Sequence, residues 1–305
     1  MVEVSDIHVY PVKSCRGIRL QSANLASTGL AWDRQWMVVD HKGMFLTQRQ
    51  FPTFSKIDIS LPIEALDESW RPLGPESALC LKAPDMEPLY VPLLPGYERE
   101  KIQVTVWGWT GNAFDEGDTA SQWLSKYIGK PGLRLVRFDN FNEHRETDPK
   151  YAPGYKTAFS DGYPILIISE ESLESLNSKL QVPIPMNRFR PNVVVKGCDP
   201  FDEDLWRKFT IGEHSFQGVN ICPRCKVPTI DQETSAVGRE PLPALKKFRS
   251  GAVLETGPGS RGEVFFGQNV VSEIKEGEHR TIRIGDMVQV AVRSTSVGEL
   301  MAGLV

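Results

Sequence analysis

The sequence predicts a mixed, β-dominated fold in two parts. Short stretches with alternating apolar and polar residues recur between Gly, Pro and Asp turns, only a few segments carry helical spacing, and a polar, Pro/Gly-containing run at 139–157 separates two strand-rich regions. The expected division is 1–130, a connection at 131–157, and 158–305. In the first part, residues 4–9 alternate as a strand. Residues 36–40 form a second, followed by the turn His41-Lys42-Gly43 and a third at 44–48. Residues 58–61 and 104–109 add strands, with Trp107 and Trp109 expected in the core, and residues 61–94, rich in Pro, Glu and Ser, read as an irregular excursion. Thr119-Ala120-Ser121-Gln122 offers a capping box to a helix whose apolar face is Trp123, Leu124, Tyr127 and Ile128, stopped by Gly129-Lys130-Pro131-Gly132. A strand at 133–138 returns to the core. In the second part, 163–169 is a buried strand. Ser169 is placed to cap a helix carrying Leu173, Leu176 and Leu180 at helical spacing. Further strands are expected at 192–196, within 209–221 and 263–271, and at 286–292, with a short helix at 241–248 and a turn at Gly267-Gln268-Asn269.

Composition sets the class of function. The 305 residues carry 35 Lys plus Arg against 39 Asp plus Glu, a net charge of −4 that provides no global field for nucleic acid. No run of 18 apolar residues is present, so no membrane span is expected. The N-terminus alternates like a strand rather than showing the apolar core of a signal peptide. Five cysteines at 15, 80, 198, 222 and 225 read as free thiols of a reducing, intracellular compartment.

Chemistry concentrates in two features. Cys222-Pro223-Arg224-Cys225-Lys226 places two thiols three apart. A structural zinc site needs two further ligands, which the five scattered histidines do not suggest. A thioredoxin-like pair would open a helix, whereas Val227-Pro228-Thr229-Ile230 reads as extended. Two small buried hydrophobes, or a thiolate ionised by the flanking Arg224 and Lys226 and suited to a soft metal, remain open readings. The second feature is a set of basic residues beside turns: Lys13, Arg34, Arg49, Arg188 and Arg190, able to converge on an anion such as phosphate. No P-loop, G-x-G-x-x-G or G-x-S-x-G is present, and Ser160-Asp161 alone reads as a turn.

Six segments taken together carry more. Tyr10-Pro11-Val12-Lys13-Ser14-Cys15, Asp33-Arg34-Gln35-Trp36, Phe159-Ser160-Asp161, Asn187-Arg188-Phe189-Arg190-Pro191-Asn192, Cys222-Pro223-Arg224-Cys225-Lys226-Val227-Pro228-Thr229 and Phe266-Gly267-Gln268-Asn269 occur in this order in MOSC-domain proteins. The chain resembles the amidoxime-reducing component family of molybdenum enzymes, its plant form in particular. The resemblance runs from about residue 4 to 292.

The resemblance implies a MOSC β-barrel-like domain beside an N-terminal MOSC β-barrel domain, with a molybdenum-pterin cofactor between them. By position in the motif, Cys225 would be the thiolate ligand of a dioxo molybdenum centre and Cys222 would not. Lys13, Ser14, Arg34, Ser160, Asp161, Arg190, Asn192, Arg224 and Asn269 are the implied cofactor contacts, and Asp161 is also implied in proton delivery. Arg190 is expected to matter more to cofactor retention than Arg145 in the connection. The implied reaction reduces N-hydroxylated compounds, amidoximes and hydroxylamines, to amidines and amines, and some relatives also reduce nitrite to nitric oxide. The resemblance implies cytochrome b5 and its NADH-dependent reductase as the electron source, and the absence of a haem, flavin or NAD motif requires an external donor. The alternative is a cofactor carrier without turnover. The membrane anchor of animal members, which reside on the mitochondrial outer membrane, has no counterpart here, leaving cytoplasmic or mitochondrial residence. The MOSC domain carries a generic association with pyridoxal phosphate. The pyridoxal-phosphate domain that precedes MOSC in the cofactor sulfurases has no room in 305 residues.

Overall fold

A computed structural model describes residues 1–66, 74, 76–94, 99–274 and 280–303. Among the described residues the strands form four sheets. The largest has eight strands in the order Val288–Arg293, Trp206–Ile211, His214–Pro223, Phe265–Ser272, Ile165–Ser169, Val193–Lys196, Glu3–Val9 and Ile18–Leu20. The strands Glu3–Val9 and Ile18–Leu20, from the start of the chain, thus complete a sheet otherwise built from its second half. Ile165–Ser169 and Val193–Lys196 pair in parallel, and the helix Glu170–Asn177 covers their crossover. All five residues of Ile165–Ser169 are buried, as a continuous apolar run sandwiched on both faces requires. The expected cap is formed: Ser172 N donates to Ser169 Oγ at 3.1 Å.

The first part holds a four-stranded sheet, Trp36–Val39, Arg134–Phe138, Trp109–Asp115 and Lys101–Val106, and a separate core in which Trp36, Phe54, Leu79, Leu81, Leu124 and Leu135 are fully buried. The second core gathers Ile7, Val9, Ile167, Val193, Trp206 and Ile211 against the large sheet.

Several expectations are corrected. The excursion at 61–94 contains the helix Ile63–Leu66 and the strands Ala78–Lys82 and Leu89–Pro92, whose inward residues Leu79, Leu81, Leu89 and Val91 are buried; its residues 67–73 and 75 lie outside the described ones. Residues 44–48 form no strand, only the bridges Met44 to Thr105 and Phe45 to Val39. The segment 104–109 is a hairpin with the two-residue turn Trp107-Gly108, so Trp107 is 46% exposed and Trp109 half-buried. The helix Asp118–Ile128 starts at Gly117 without a side-chain cap, while Asp118 complements the dipole and Gly129 closes the helix in the left-handed conformation. Val227–Thr229 is a 3-10 turn, which tolerates Pro228 in its first turn, rather than an extended segment. Gly267-Gln268-Asn269 belongs to the strand Phe265–Ser272. Gly267 stands at φ +81°, and a Cβ there would come within 2.6 Å of Ile168 Cγ1. This glycine serves close packing and a register shift, not a turn. The terminal helix Val297–Ala302 had no counterpart in the sequence reading.

One buried cluster predicts a pH effect. Glu203, fully buried, accepts from Ser169 N at 3.0 Å and from Ser169 and Ser172 hydroxyls at 2.9 Å, beside the ion pair of Asp204 with Arg249. Burial, and next the neighbouring Asp204 charge, push its carboxyl up to about 7. A carboxyl raised on folding stabilises the fold fully below its unfolded value near 4.5. That contribution is lost as pH rises through 7. Glu203→Gln should therefore flatten the fall in Tm between pH 5 and 7, whatever its constant offset. An unchanged slope in thermal melts would contradict this.

Candidate functional site

Strands from both halves of the chain deliver residues to one cleft. Lys13 and Ser14 follow the strand Glu3–Val9, and Arg34 precedes Trp36–Val39. Ser160 and Asp161 lead into Ile165–Ser169, and Arg190 and Asn192 into Val193–Lys196. The strand His214–Pro223 ends at the two cysteines, and Asn269 lies within Phe265–Ser272. The cleft has a volume of about 320 Å³, and all ten expected residues, Cys225 included, line it. Thr47, Arg49, Tyr163, Phe189 and Cys222 line it as well.

The cationic floor is built rather than incidental. Ser14, Arg34 and Arg190 adopt φ of +71°, +47° and +57°, strained for residues with a Cβ and held by surrounding hydrogen bonds. Gln48 Nε2 donates to Ser14 O at 2.7 Å, and Gln48 and Gln232 exchange amide hydrogen bonds of 2.9 Å across the two halves of the chain. Arg34 Nη1 donates to both oxygens of buried Asp33, at 2.7 and 2.6 Å, and to Asn192 Oδ1 at 3.1 Å. The guanidinium carbons of Arg34 and Arg190 lie over the Tyr10 ring at 4.3 and 4.2 Å. Burial pushes the Tyr10 hydroxyl up to about 12 and the Arg190 guanidinium down to about 10. Lys13 is 5% exposed and donates to Phe159 O at 2.8 Å and to Asp161 Oδ1 at 2.5 Å. Burial lowers its ammonium, against the attraction of Asp161.

Asp161 lines the open cleft with a side chain 69% exposed. The surrounding walls alone would raise its carboxyl, but the Lys13 charge and hydrogen bond, the Trp107 N–H and Arg34 hold it well below the usual carboxylate range. Its turn is pinned by Arg145, which is buried and donates to Ala158 O, Ser160 O and Asp161 O at 2.8, 2.5 and 2.6 Å. Arg145 therefore supports the turn that carries Ser160 and Asp161.

Three buried donors in the cleft walls have no partner among the described residues: Arg190 Nη2, Arg224 Nε and Ser160 Oγ. Unsatisfied buried donors cost free energy unless a ligand accepts from them.

The cysteine motif is arranged differently from the expectation. Arg224 Nη1 lies 3.2 Å from Cys222 Sγ and Nη2 donates to Phe189 O at 2.7 Å, because Arg224 N is tied to Val264 O and its side chain runs back along the strand end. The cation thus faces Cys222, whose thiol burial raises against the pull of Arg224. Cys225 is exposed in the cleft wall, with Lys226 also exposed. Among the described residues no group of three or more His, Cys, Asp or Glu side chains converges. Arg188 turns away, donating to Asp231 Oδ2 at 2.8 Å and Pro228 O at 3.3 Å.

Sequence reasoning missed Trp107. Its indole N–H donates to Asp161 Oδ1 at 3.0 Å, and Arg49 lies 4.5 Å over its ring. The only signal was its adjacency to Gly108, which marks a turn rather than a core strand.

Comparison with known proteins matches residues 1–131 to the MOSC N-terminal beta barrel domain and residues 154–289 to the MOSC domain. The chain is 35% identical over 256 residues to mitochondrial amidoxime reducing component 2 of Rattus norvegicus, covering 81% of this chain and 72% of that one. It is 31% identical over 297 residues to mitochondrial amidoxime-reducing component 1 of Homo sapiens, covering 93% and 82%. It is 31% identical over 304 residues to molybdenum cofactor sulfurase of Oryza sativa subsp. japonica, covering 92% of this chain and 34% of that protein.

Proposed function

The chain belongs to the MOSC family with the amidoxime-reducing components, and from that premise we propose that it is a molybdenum-cofactor-dependent reductase of N-hydroxylated compounds. One observation carries the reading: residues from Lys13 to Asn269 converge on a cleft whose walls leave Arg190 Nη2, Arg224 Nε and Ser160 Oγ unpartnered. Those donors suit a dianionic phosphate, and the exposed sulfur of Cys225 offers a ligand for a soft metal beside it. The donor set therefore fits a molybdenum-pterin cofactor. Arg190, Arg224, Ser160, Lys13, Ser14, Arg34, Asn192 and Asn269 would hold the organic part and Cys225 the metal.

When bound, the cofactor supplies the two electrons needed to cleave an N–O bond. Reduction of an N-hydroxy compound consumes two electrons and two protons and yields the N–H compound and water. The chain's contribution is to seat the substrate's N–O group near Cys225, with Asp161 and the Lys13 ammonium flanking it. Cytochrome b5 and its NADH-dependent reductase are the proposed electron source, and nitrite is a second candidate acceptor small enough for the cleft. Among the described residues no helix is long and apolar enough to cross a membrane. The names of the relatives support a mitochondrial residence.

The test is elemental analysis of protein made in a cofactor-competent host, followed by benzamidoxime reduction with NADH, the reductase and cytochrome b5. One molybdenum per chain and turnover are expected. Molybdenum without turnover would make the chain a carrier, and no molybdenum would remove the reading.

A further inference from the structure

We infer that Trp107 is a positioning residue that presents Asp161 to the substrate as an acceptor of an N–H hydrogen bond, so that the cleft prefers N-hydroxy compounds with an N–H beside the N–O group. This rests on the reductase reading above and adds a selectivity to it.

The geometry is asymmetric. Asp161 Oδ1 accepts twice, from Lys13 Nζ at 2.5 Å and from Trp107 Nε1 at 3.0 Å. Oδ2 accepts from none of the described residues, and the side chain is 69% exposed in a residue that lines the cleft. Two donors on one oxygen fix the carboxylate plane and leave the other oxygen as the free acceptor. A substrate group that meets Oδ2 must bring a donor. An amidoxime brings its NH2, and a hydroxylamine of a primary amine its N–H. A fully substituted hydroxylamine brings no N–H, and its one donor, the O–H, belongs to the N–O group seated near Cys225, so its approach would strip water from a charged oxygen without replacement.

Trp107 is fixed for this work from outside the second half of the chain. It stands at φ +53° in the two-residue turn between Lys101–Val106 and Trp109–Asp115. Arg49, itself a cleft residue, lies over its ring at 4.5 Å, and Phe45 packs at 5.1 Å. Arg145, which donates to the backbone of Ser160 and Asp161, holds the opposite partner of the contact. The hairpin therefore reaches across to set one carboxylate, while its indole remains 46% exposed.

The test compares wild type with Trp107→Phe, which keeps an aromatic ring beneath Arg49 and deletes the N–H together with the fused five-membered ring. Both proteins are assayed as molybdenum-loaded holoprotein with a chemically reduced viologen as electron source. The substrates are benzamidoxime and N,N-dibenzylhydroxylamine, which has no N–H. A hydrogen bond to a charged group is worth about ten- to hundredfold, and loss of one that only positions the acceptor falls at the lower end. For Trp107→Phe the KM for benzamidoxime should rise about tenfold with kcat little changed, and the preference for benzamidoxime should fall by the same factor. Direct calorimetric binding of benzamidine, the product, should weaken about tenfold, and more in Asp161→Asn. Equal losses on both substrates, or benzamidine binding that ignores both substitutions, would overturn the inference. Wild-type turnover itself tests the reductase reading, so the two failures are separable.

Discussion

Replacing Cys225 by Ala should abolish reduction of benzamidoxime while leaving the fold intact. Even partners of metal ligands cost about ten- to hundredfold when removed, so loss of the ligand itself should cost about a thousandfold or more in kcat. The side chain is exposed and makes no hydrogen bond among the described residues, so the melting temperature should hold. Cys222→Ala is the discriminating comparison. Its sulfur sits 3.2 Å from Arg224 Nη1, which is the cationic neighbour that sequence reasoning had placed beside Cys225. Proximity to a guanidinium favours a thiolate, and burial opposes it; for Cys222 burial prevails. Cys222→Ala should therefore keep its molybdenum and turn over within about tenfold of wild type, through a freed Arg224 rather than a lost ligand. Molybdenum absorption spectra should lose one sulfur neighbour in the first variant only. A dead Cys222→Ala with an active Cys225→Ala would transfer the ligand role to the buried thiol.

The strands whose side chains face a core were legible. The cores of the runs at 163–169 and 192–196, Ile165–Ile168 and Val193–Val195, are apolar throughout, and the structure buries both. The excursion at 61–94 was not legible as sheet, because its strands are four and five residues long and its six prolines interrupt any alternation. The cleft was legible as residue types but not as geometry. Lys13, Arg34 and Arg190 stood beside turns. Their left-handed backbone at Ser14, Arg34 and Arg190 could not be read, because residues with a Cβ reach that region only through tertiary contacts. Trp107 was lost for the converse reason: a large aromatic at the end of an alternating run reads as core, and only the register of Val106 against Trp109 puts it at a hairpin tip. Arg145 looked like one charge in a polar connection. Its three carbonyl acceptors become adjacent only when the turn at 158–161 folds over it.

Because Arg145 holds the Ser160–Asp161 turn, the anion pocket is best tested at Arg190 with a different control. Arg190→Ala should reduce bound molybdenum cofactor about ten- to hundredfold, the scale of charge-assisted hydrogen bonds lost from a buried phosphate site. Arg190 is buried, its Nη2 lacks a partner among the described residues, and its backbone is strained at φ +57°. A residue so placed costs the empty protein stability, so the cofactor-free form of Arg190→Ala should melt at or above the cofactor-free wild type. Arg145→Ala is a poor control, since it would release the Ser160 and Asp161 carbonyls and disturb the same cleft. Arg188 is the right one. It lies two residues away, yet its guanidinium is committed to Asp231 and Pro228 O outside the cleft lining. Arg188→Ala should lose a partly exposed ion pair, about 1 kcal/mol or less, and keep its cofactor. Molybdenum contents that fall together in Arg190→Ala and Arg188→Ala would mean that the turn's overall charge, and not an arginine aimed into the cleft, retains the ligand.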